Sequence, residues 1–195
     1  MDSWAGFFDV FEQPKNITEI DNLIRIPLVR QPDSWSCGVA SVLSVLSYYG
    51  KEMGYEDIAK GVKATKADGA DHRNIITFLK EQGLEVELHK GMLLSDLQSF
   101  IDNGTPVIVV IQAWSPNPDD YEKNWDSGHY AVVVGYDLEN IYLMDPSTIG
   151  NYTYIPREEF SKRWHDQDQE IKLRQAGLVI KGTKAFDADG IKRLR

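Results

Sequence analysis

The chain is poor in cysteine. Its 195 residues include a single one, Cys37, so it has no partner for an internal disulfide and cannot build a cysteine-based metal cluster. The four histidines are scattered along the sequence, which does not suit a four-ligand zinc site. The sequence therefore indicates neither a metal nor another cofactor. A lone free thiol is typical of a reducing compartment, and we expect a cytoplasmic protein.

The chain also lacks an excess of basic residues and any long apolar run. Lys and Arg number 21 against 30 Asp and Glu, a net charge of −9. This balance argues against nucleic acid and against an anionic membrane surface as partners. Apolar runs such as residues 107–111 are too short to cross a bilayer. The opening MDSWAGFFDVFEQPKN has no basic stretch followed by an apolar one, so no secretory signal is expected.

Internal repeats, low-complexity segments and long Pro/Gly/Ser linkers are missing as well. We therefore expect one domain over residues 1–195, with its core within about 23–180. Hydrophobic residues make up 42% of the chain, enough for a sizeable core that needs no disulfide or metal to fold.

What is present is a clear change of hydrophobic periodicity along the chain. Residues 37–49 are apolar nearly all round and predict a buried central helix, capped by Ser34 or Ser36. The β-branched run 106–112 predicts a buried strand. Further helices are predicted at 55–62, 71–82, 94–103 and 157–164, and further strands at 23–29, 84–88, 130–136, 141–144 and 176–180. Helices largely separated from an antiparallel sheet predict an α+β fold.

Cys37 begins the predicted central helix. The free N–H groups and the dipole of a helix N-terminus favour the thiolate, which is the nucleophilic form of cysteine. Gly38 follows directly, and we interpret its missing side chain as room for a substrate to approach the sulfur. The alternative interpretation is that Cys37 is only a small buried hydrophobic residue.

His129 and Asp145 end two predicted strands of one hairpin. His129 precedes an apolar strand, where a rigid backbone can hold a general base. A hairpin centred on residue 137 sets Asp145 opposite His129 and on the same face, with Cβ atoms about 4.5–5.5 Å apart. This suits a carboxylate that orients an imidazole. The alternatives are a hydrogen-bonded, half-buried histidine and an ordinary Asp-Pro turn.

Gln31 and two tryptophans complete the candidate site. Gln31 lies six residues before Cys37, so its amide could join the Cys37 backbone N–H in an oxyanion hole. Trp35 and Trp125 are candidate substrate-binding residues, whereas Trp114 is assigned to an edge of the core. The acidic loop 119–126 does not match the spacing of an EF-hand and predicts no metal site.

These residues resemble the papain-like cysteine peptidase superfamily, and more closely the stand-alone relatives of the bacteriocin-processing peptidases that cut leader peptides after a double glycine. The similar segments are QPDSWSCGVA (31–40), GTPVI (104–108), GHYAVVVGYD (128–137) and MDP (144–146). The resemblance spans about residues 28–165. It implies a papain-like fold, in which a central N-terminal helix packs on an antiparallel sheet.

By matching position, the resemblance also implies roles for the site residues. Cys37 would be the nucleophile and His129 the base, with Asp145 as orienter and Gln31 in the oxyanion hole. Ser36 stands where many relatives have an acidic residue. The membrane and ATP-binding domains of the transporter-linked members do not continue in this chain, so their leader-peptide substrate is not carried over.

Three functions remain open at this point. The leading hypothesis is a cysteine peptidase or amidase that hydrolyses a peptide or amide substrate through a thioester. An acyltransferase or transglutaminase-like enzyme would use the same triad, with an amine in place of water. The third possibility is a peptide-binding module that has the papain-like fold but no longer catalyses a reaction. The oligomeric state is not predicted.

Overall fold

The computed structural model describes residues 16–115, 120–168, 171–191 and 193. The opening segment in which no secretory signal is expected lies outside these residues, apart from Asn16. The helices are α1 (Cys37–Tyr48), α2 (Tyr55–Gly61), α3 (His72–Glu81), α4 (Leu94–Asp102) and α5 (Arg157–Arg163), with a short 3-10 helix at Ile17–Glu19. The strands are β1 (Glu85–His89), β2 (Val107–Gln112), β3 (Gly128–Tyr136), β4 (Asn140–Met144), β5 (Thr153–Pro156), β6 (His165–Asp168), β7 (Ile171–Arg174) and β8 (Gly177–Lys181).

Within the described residues, six strands form one antiparallel sheet in the order β1-β8-β2-β3-β4-β5. Strands β6 and β7 pair separately as a hairpin. Helix α1 packs on β3, while α5 packs on β2, β4 and β5. The α+β prediction is confirmed, because the helices lie against the sheet and do not connect parallel strands. No helix among the described residues combines the length and apolar character needed to span a bilayer.

Helix α1 is the central helix, as its sequence predicts. Val39, Val42 and Val45 are fully buried, and so are the polar residues Ser41 and Ser44. The Ser44 hydroxyl donates to the Pro27 carbonyl at 2.6 Å, which allows a polar side chain on a buried face.

Gly38 serves the packing of α1, which corrects the interpretation that it opens a path to the sulfur. A Cβ at this position would lie 2.9 Å from the Cβ of Ala70 and 3.2 Å from Cδ2 of Tyr130. The missing side chain therefore lets the first turn of α1 approach β3 and the loop before α3.

The contact between Gly38 and Tyr130 also defines the two faces of β3. Tyr130 faces α1, so the alternation of a strand places His129 and Ala131 on the opposite face. Ala131 shares a cavity with Glu159 and Arg163, so this opposite face is the one that carries α5. The candidate nucleophile and base thus approach each other around the end of β3, from two sides of the sheet.

The predicted strand at 23–29 is wrong, since no strand forms there. Strand β3 already pairs with β2 and β4, which leaves it no edge for another strand. One backbone hydrogen bond still links this segment to β3, from the Ile24 N–H to the Val134 carbonyl at 2.7 Å. The Val134 carbonyl can accept this bond because the register of β3 with β4 shifts between Val133 and Gly135.

Residues 182–190, for which the sequence predicts no role, run back over the end of α1. The N–H groups of Ala185 and Phe186 donate to the Tyr48 carbonyl at 3.2 and 3.1 Å. Asp189 pairs with Arg25 at 2.7 Å. This segment therefore pairs with the Tyr48 carbonyl at the C-terminus of α1, which the helix itself leaves unpaired.

Candidate active site

Cys37 is the first residue of α1 and is partly exposed. Ser36 occupies the predicted N-cap position, but its side chain forms no capping hydrogen bond. The Tyr130 N–H donates to the Cys37 sulfur at 3.5 Å. The sulfur is therefore held at the backbone of β3, directly beside His129.

Asp33 organises the turn that leads into Cys37. Its Oδ1 accepts from the Trp35 N–H at 3.0 Å, the Ser36 N–H at 3.0 Å and the Ser36 hydroxyl at 2.7 Å. Its backbone carbonyl accepts from Nε2 of Gln31 at 2.5 Å. Sequence reasoning missed this role, although an Asp a few residues before a helix often forms such a turn.

Gln31 is buried and tied to two parts of the site. Its N–H donates to the Pro146 carbonyl at 2.9 Å, next to Asp145, and its side-chain nitrogen donates to Asp33. An amide nitrogen carries two hydrogens, so one donor is left after the bond to Asp33. Oε1 of Gln31 is buried and has no hydrogen-bond partner among the described residues.

His129 and Asp145 form a hydrogen-bonded pair in which the histidine is buried and the carboxylate is partly buried. Nε2 of His129 lies 2.7 Å from Oδ1 of Asp145, and the histidine is only 3% exposed. The carboxylate also accepts from the Ser147 N–H at 2.9 Å, the Ser147 hydroxyl at 2.7 Å and the Thr148 hydroxyl at 3.0 Å. Asp145 is therefore fully occupied, and it fixes the orientation of the imidazole.

The hairpin that joins the pair has a different register from the predicted one. Val133 pairs with Leu143 and Val132 with Met144, which places the centre at residue 138 in place of 137. Continued to the strand ends, this register puts Asp145 opposite Ala131, so its contact with His129 is diagonal. The prediction of a directly opposite pair is wrong. The side chains still meet, because they share a face and diagonal neighbours remain within reach.

The surroundings of the pair favour its charged form. Burial acts to lower the pKa of His129, but the hydrogen bond to Asp145 and the nearby Cys37 thiol outweigh it and raise that pKa to about 9. Burial acts to raise the pKa of Asp145, but the hydrogen bonds from His129 and Ser147 hold it well below its usual range. At neutral pH the pair is therefore an imidazolium and a carboxylate.

The other ring nitrogen of His129 is available to the thiol. Nδ1 is buried and has no hydrogen-bond partner at normal distance among the described residues. The Cys37 thiol is nevertheless close enough to raise the pKa of His129. Such a pair is poised for proton transfer, since catalytic hydrogen bonds are often long before a substrate binds.

Cys37 opens onto a groove of about 700 Å³, here called the Cys37 groove. Its lining includes Trp35, Trp125, Gly128 and the loop 65–71. The ring of Trp125 is held by cations of β7, with Lys172 Nζ at 4.8 Å and Arg174 Cζ at 4.7 Å from the ring centre. The structure thus brings both tryptophans predicted for substrate binding to the groove that contains the sulfur.

Trp114 does not cover an edge of the core, which corrects the assignment made from sequence. It is 58% exposed, and its ring meets that of His129 edge-on with 4.9 Å between the centres. Its backbone has φ of +48°, an uncommon conformation for a large side chain and one that occurs at functional sites. Trp114 therefore belongs to the surroundings of the histidine.

Metal ligands are not assembled in the part of the chain that the structure describes, where no three His, Cys, Asp or Glu side chains meet suitably. The site consists of a thiol, an imidazole, a carboxylate and an amide. A central helix that carries a cysteine at its N-terminus, packed on an antiparallel sheet that carries a histidine and an aspartate, is the papain-like arrangement of cysteine peptidases.

Comparison with known proteins agrees with this class. Residues 23–171 match the Peptidase_C39 like family, and the chain belongs to that family. It is 30% identical over 135 residues to the transport/processing ATP-binding protein ComA of Streptococcus pneumoniae. It is 24% identical over 134 residues to the pediocin PA-1 transport/processing ATP-binding protein PedD of Pediococcus acidilactici. Each alignment covers 69% of this chain but only 17% of the relative.

Solved structures show the same fold. A putative C39-like peptidase from Bacillus anthracis superimposes with a TM-score of 0.65 at 18% identity, covering 84% of this chain and 98% of the other. The peptidase domain of Streptococcus ComA gives 0.61 at 22% identity, with 80% and 98% coverage. A double glycine motif protease from an AMS/PCAT transporter, in complex with a leader peptide, gives 0.59 at 23% identity, with 83% and 94% coverage.

Proposed function

We propose that this protein is a cysteine peptidase that hydrolyses peptide or amide bonds, with Cys37 as nucleophile, His129 as general base and acid, and Asp145 as orienter. One observation carries the proposal. The Cys37 sulfur is held at the backbone of residue 130, beside a histidine whose Nε2 is bound to Asp145. Only Nδ1 of that histidine is then left to exchange a proton with the sulfur.

The reaction follows from these positions. The thiolate of Cys37 attacks the substrate carbonyl carbon, and the negative oxygen receives hydrogen bonds from the Cys37 N–H and the remaining amide hydrogen of Gln31. His129 gives its proton to the leaving amine as the C–N bond breaks, which leaves a thioester on Cys37. Water then attacks the thioester with His129 as base and releases the acid and the free thiol.

A peptide substrate has support from the groove and from the neighbouring structures. Trp35 and Trp125 offer aromatic surface beside the sulfur, as binding clefts commonly do. The double glycine motif protease of similar fold binds a leader peptide. We therefore extend the proposal to a peptide chain lying in the Cys37 groove.

The direct test is hydrolysis of a peptide library prepared from a digested proteome, analysed by mass spectrometry. The wild-type protein should create new peptide ends that a Cys37→Ala protein does not create, with a rate ratio above about 10³, as expected when a nucleophile is removed. An unchanged melting temperature of the variant would show that the fold is kept. Equal cleavage by both proteins would contradict the proposal. Products joined to an added amine would indicate acyl transfer on the same residues.

Asp33 offers a second test, because it holds the turn between Gln31 and Cys37. Asp33→Ala removes the acceptor of three hydrogen bonds, so kcat should fall by about 10–100-fold, less than for loss of a whole oxyanion donor. KM should change little, since Asp33 does not line the Cys37 groove. Asp33→Asn keeps an oxygen acceptor at the same position and should restore most of kcat. A loss in KM alone would contradict this positioning role.

A further inference from the structure

A second cavity lies beside the catalytic pair, on the face of the sheet that carries α5. We call it the His129 cavity. It has about 270 Å³ and is lined by His129, Asp145 and Trp114, but Cys37 is not among the described residues that line it. The Cys37 groove in turn is not lined by His129. Cys37 and His129 therefore line two different spaces.

The chemistry of hydrolysis assigns the two halves of a substrate to these two spaces. The acyl half becomes bonded to the Cys37 sulfur, so it must occupy the space that contains the sulfur. The leaving amine takes its proton from His129, and a proton donor must lie within hydrogen-bond reach of the group that it protonates. The residue that follows the cleaved bond is therefore expected on the His129 side.

The charges of the His129 cavity are already partnered. Arg163 pairs with Glu159, and its guanidinium carbon lies 3.7 Å above the ring of Tyr121. Nε of Arg163 is buried and has no hydrogen-bond partner among the described residues. Asp145 accepts from His129, Ser147 and Thr148. A charged side chain entering the cavity would thus lose hydration without finding an opposite charge in return.

The His129 cavity also has an apolar surface. Its sheet side is formed by Ile111, Ala131 and Leu143, and its mouth carries the exposed ring of Trp114. This ring is held by its edge-on contact with His129 and by a restricted backbone. A fixed aromatic surface above an apolar base favours a large apolar side chain, through area removed from water and ring–ring contact.

We propose that the His129 cavity binds the side chain of the residue directly after the cleaved bond and selects a bulky apolar one, aromatic above all, with Trp114 as the specificity-determining residue. This inference rests on the proposed peptidase function. It names a preference on the leaving-group side of the substrate, separate from any preference in the Cys37 groove.

The test uses peptides cut by the wild-type protein and varied only at the residue after the cleaved bond, as Phe, Leu, Gly, Asp or Lys. The wild type should prefer Phe over Gly in kcat/KM by at least about tenfold, the scale for a group that fills an apolar pocket. Asp and Lys should be no better than Gly. In Trp114→Ala the Phe/Gly ratio should fall below about threefold, and Trp114→Phe should retain most of it.

The ratio separates specificity from a general loss of activity. Disturbance of His129 by the Trp114 substitution would lower the rates of all peptides together and leave the Phe/Gly ratio as it was. Trp35→Ala is the matched control, because it alters an aromatic ring of the Cys37 groove. Its overall rate can change, but its Phe/Gly ratio should equal that of the wild type.

Two failures are distinguishable. Cleavage that depends on Cys37 but has the same Phe/Gly ratio in the wild type and Trp114→Ala would overturn this inference and leave the proposed function standing. A wild-type preference for Gly, Asp or Lys would also overturn this inference and leave the proposed function standing. The absence of any cleavage that depends on Cys37 would overturn the proposed function, and the inference with it.

Discussion

Replacement of His129 by alanine should lower Cys37-dependent hydrolysis by about 10²–10⁴-fold, the usual contribution of a general acid–base group. His129 is the proposed proton acceptor and donor, and Asp145 is hydrogen-bonded to its Nε2 at 2.7 Å. Alanine removes both the proton exchange with the thiol and the partner of the Asp145 carboxylate. The measurement is kcat/KM on a cleaved peptide across the pH range.

His89→Ala is the matched control. His89 lies at the end of β1, is partly exposed and contacts Glu87, and it lines neither the Cys37 groove nor the His129 cavity. Its replacement should leave kcat/KM within about twofold of the wild type, as for most surface substitutions. Equal losses in the two variants would mean that His129 acts only through stability, which contradicts its proposed role.

Two substitutions of Asp145 should separate the effect of its hydrogen bond to His129 from the effect of its negative charge. Asp145→Ala should lower kcat/KM by about 10²-fold or more, because the imidazole then loses its orientation. Asp145→Asn should retain most activity, since an amide oxygen can still accept from Nε2. The amide nitrogen would face the hydroxyls of Ser147 and Thr148, which can accept as well as donate.

The pH dependence of the Asn variant follows from the sign of the pKa shifts. An active imidazolium–thiolate pair is lost on the alkaline side as His129 loses its proton, with a pKa of about 9 in the wild type. Removal of the negative charge at position 145 lowers this pKa. The alkaline limb of kcat/KM in Asp145→Asn should therefore move to lower pH. An unmoved limb, or an Asn variant as poor as the Ala variant, would contradict the arrangement.

The same shifts make fold stability depend on the pair. The raised pKa of His129 contributes stability that is complete below its ordinary value of 6.5 and is lost as the pH rises through about 9. The lowered pKa of Asp145 contributes stability that is complete above its ordinary value of 3.8 and is lost as the pH falls below it. Asp145→Ala should therefore cost most stability near pH 5–6, on the order of 3 kcal/mol for leaving the buried His129 without its charged partner, measurable by urea unfolding.

The parts of the fold that could be predicted are those with a long apolar signal. Helix α1 and strands β2 and β3 are buried on nearly all sides, so their sequences read as continuous apolar runs. Strands β6 (HDQD) and β7 (IKLR) were missed because they are short and largely polar. Their hairpin is set by pairing with each other and by packing around Trp164 and Leu173, which no local pattern reveals.

The contact between His129 and Asp145 was predicted correctly although the predicted register of the hairpin was wrong. A move of the centre from residue 137 to 138 shifts the pairing by two residues, and a strand alternates with a period of two. The aspartate therefore stayed on the face of the histidine. The shift of register near Val134 has no signal in the run of valines, because each of them suits a regular strand equally well.

The supporting residues of the site could not be predicted in the same way. Asp33 acts through one carboxylate oxygen that gathers donors from a turn, and this depends on the path of residues 31–37. Trp114 was assigned to an edge of the core, but its left-handed backbone turns the ring towards His129. Both roles depend on local backbone geometry and not on residue type or spacing.

The measurement that tests the central claim most directly is the pH dependence of Cys37 alkylation by iodoacetamide, in the wild type and in His129→Ala. The chain has one cysteine, so the rate reports this thiol alone. An activated pair predicts that the wild-type thiol reacts faster at neutral pH than the thiol of His129→Ala, because a protonated imidazole then lies beside the sulfur. Identical profiles, or a thiol that reacts only as a free cysteine does, would contradict the pairing of Cys37 with His129.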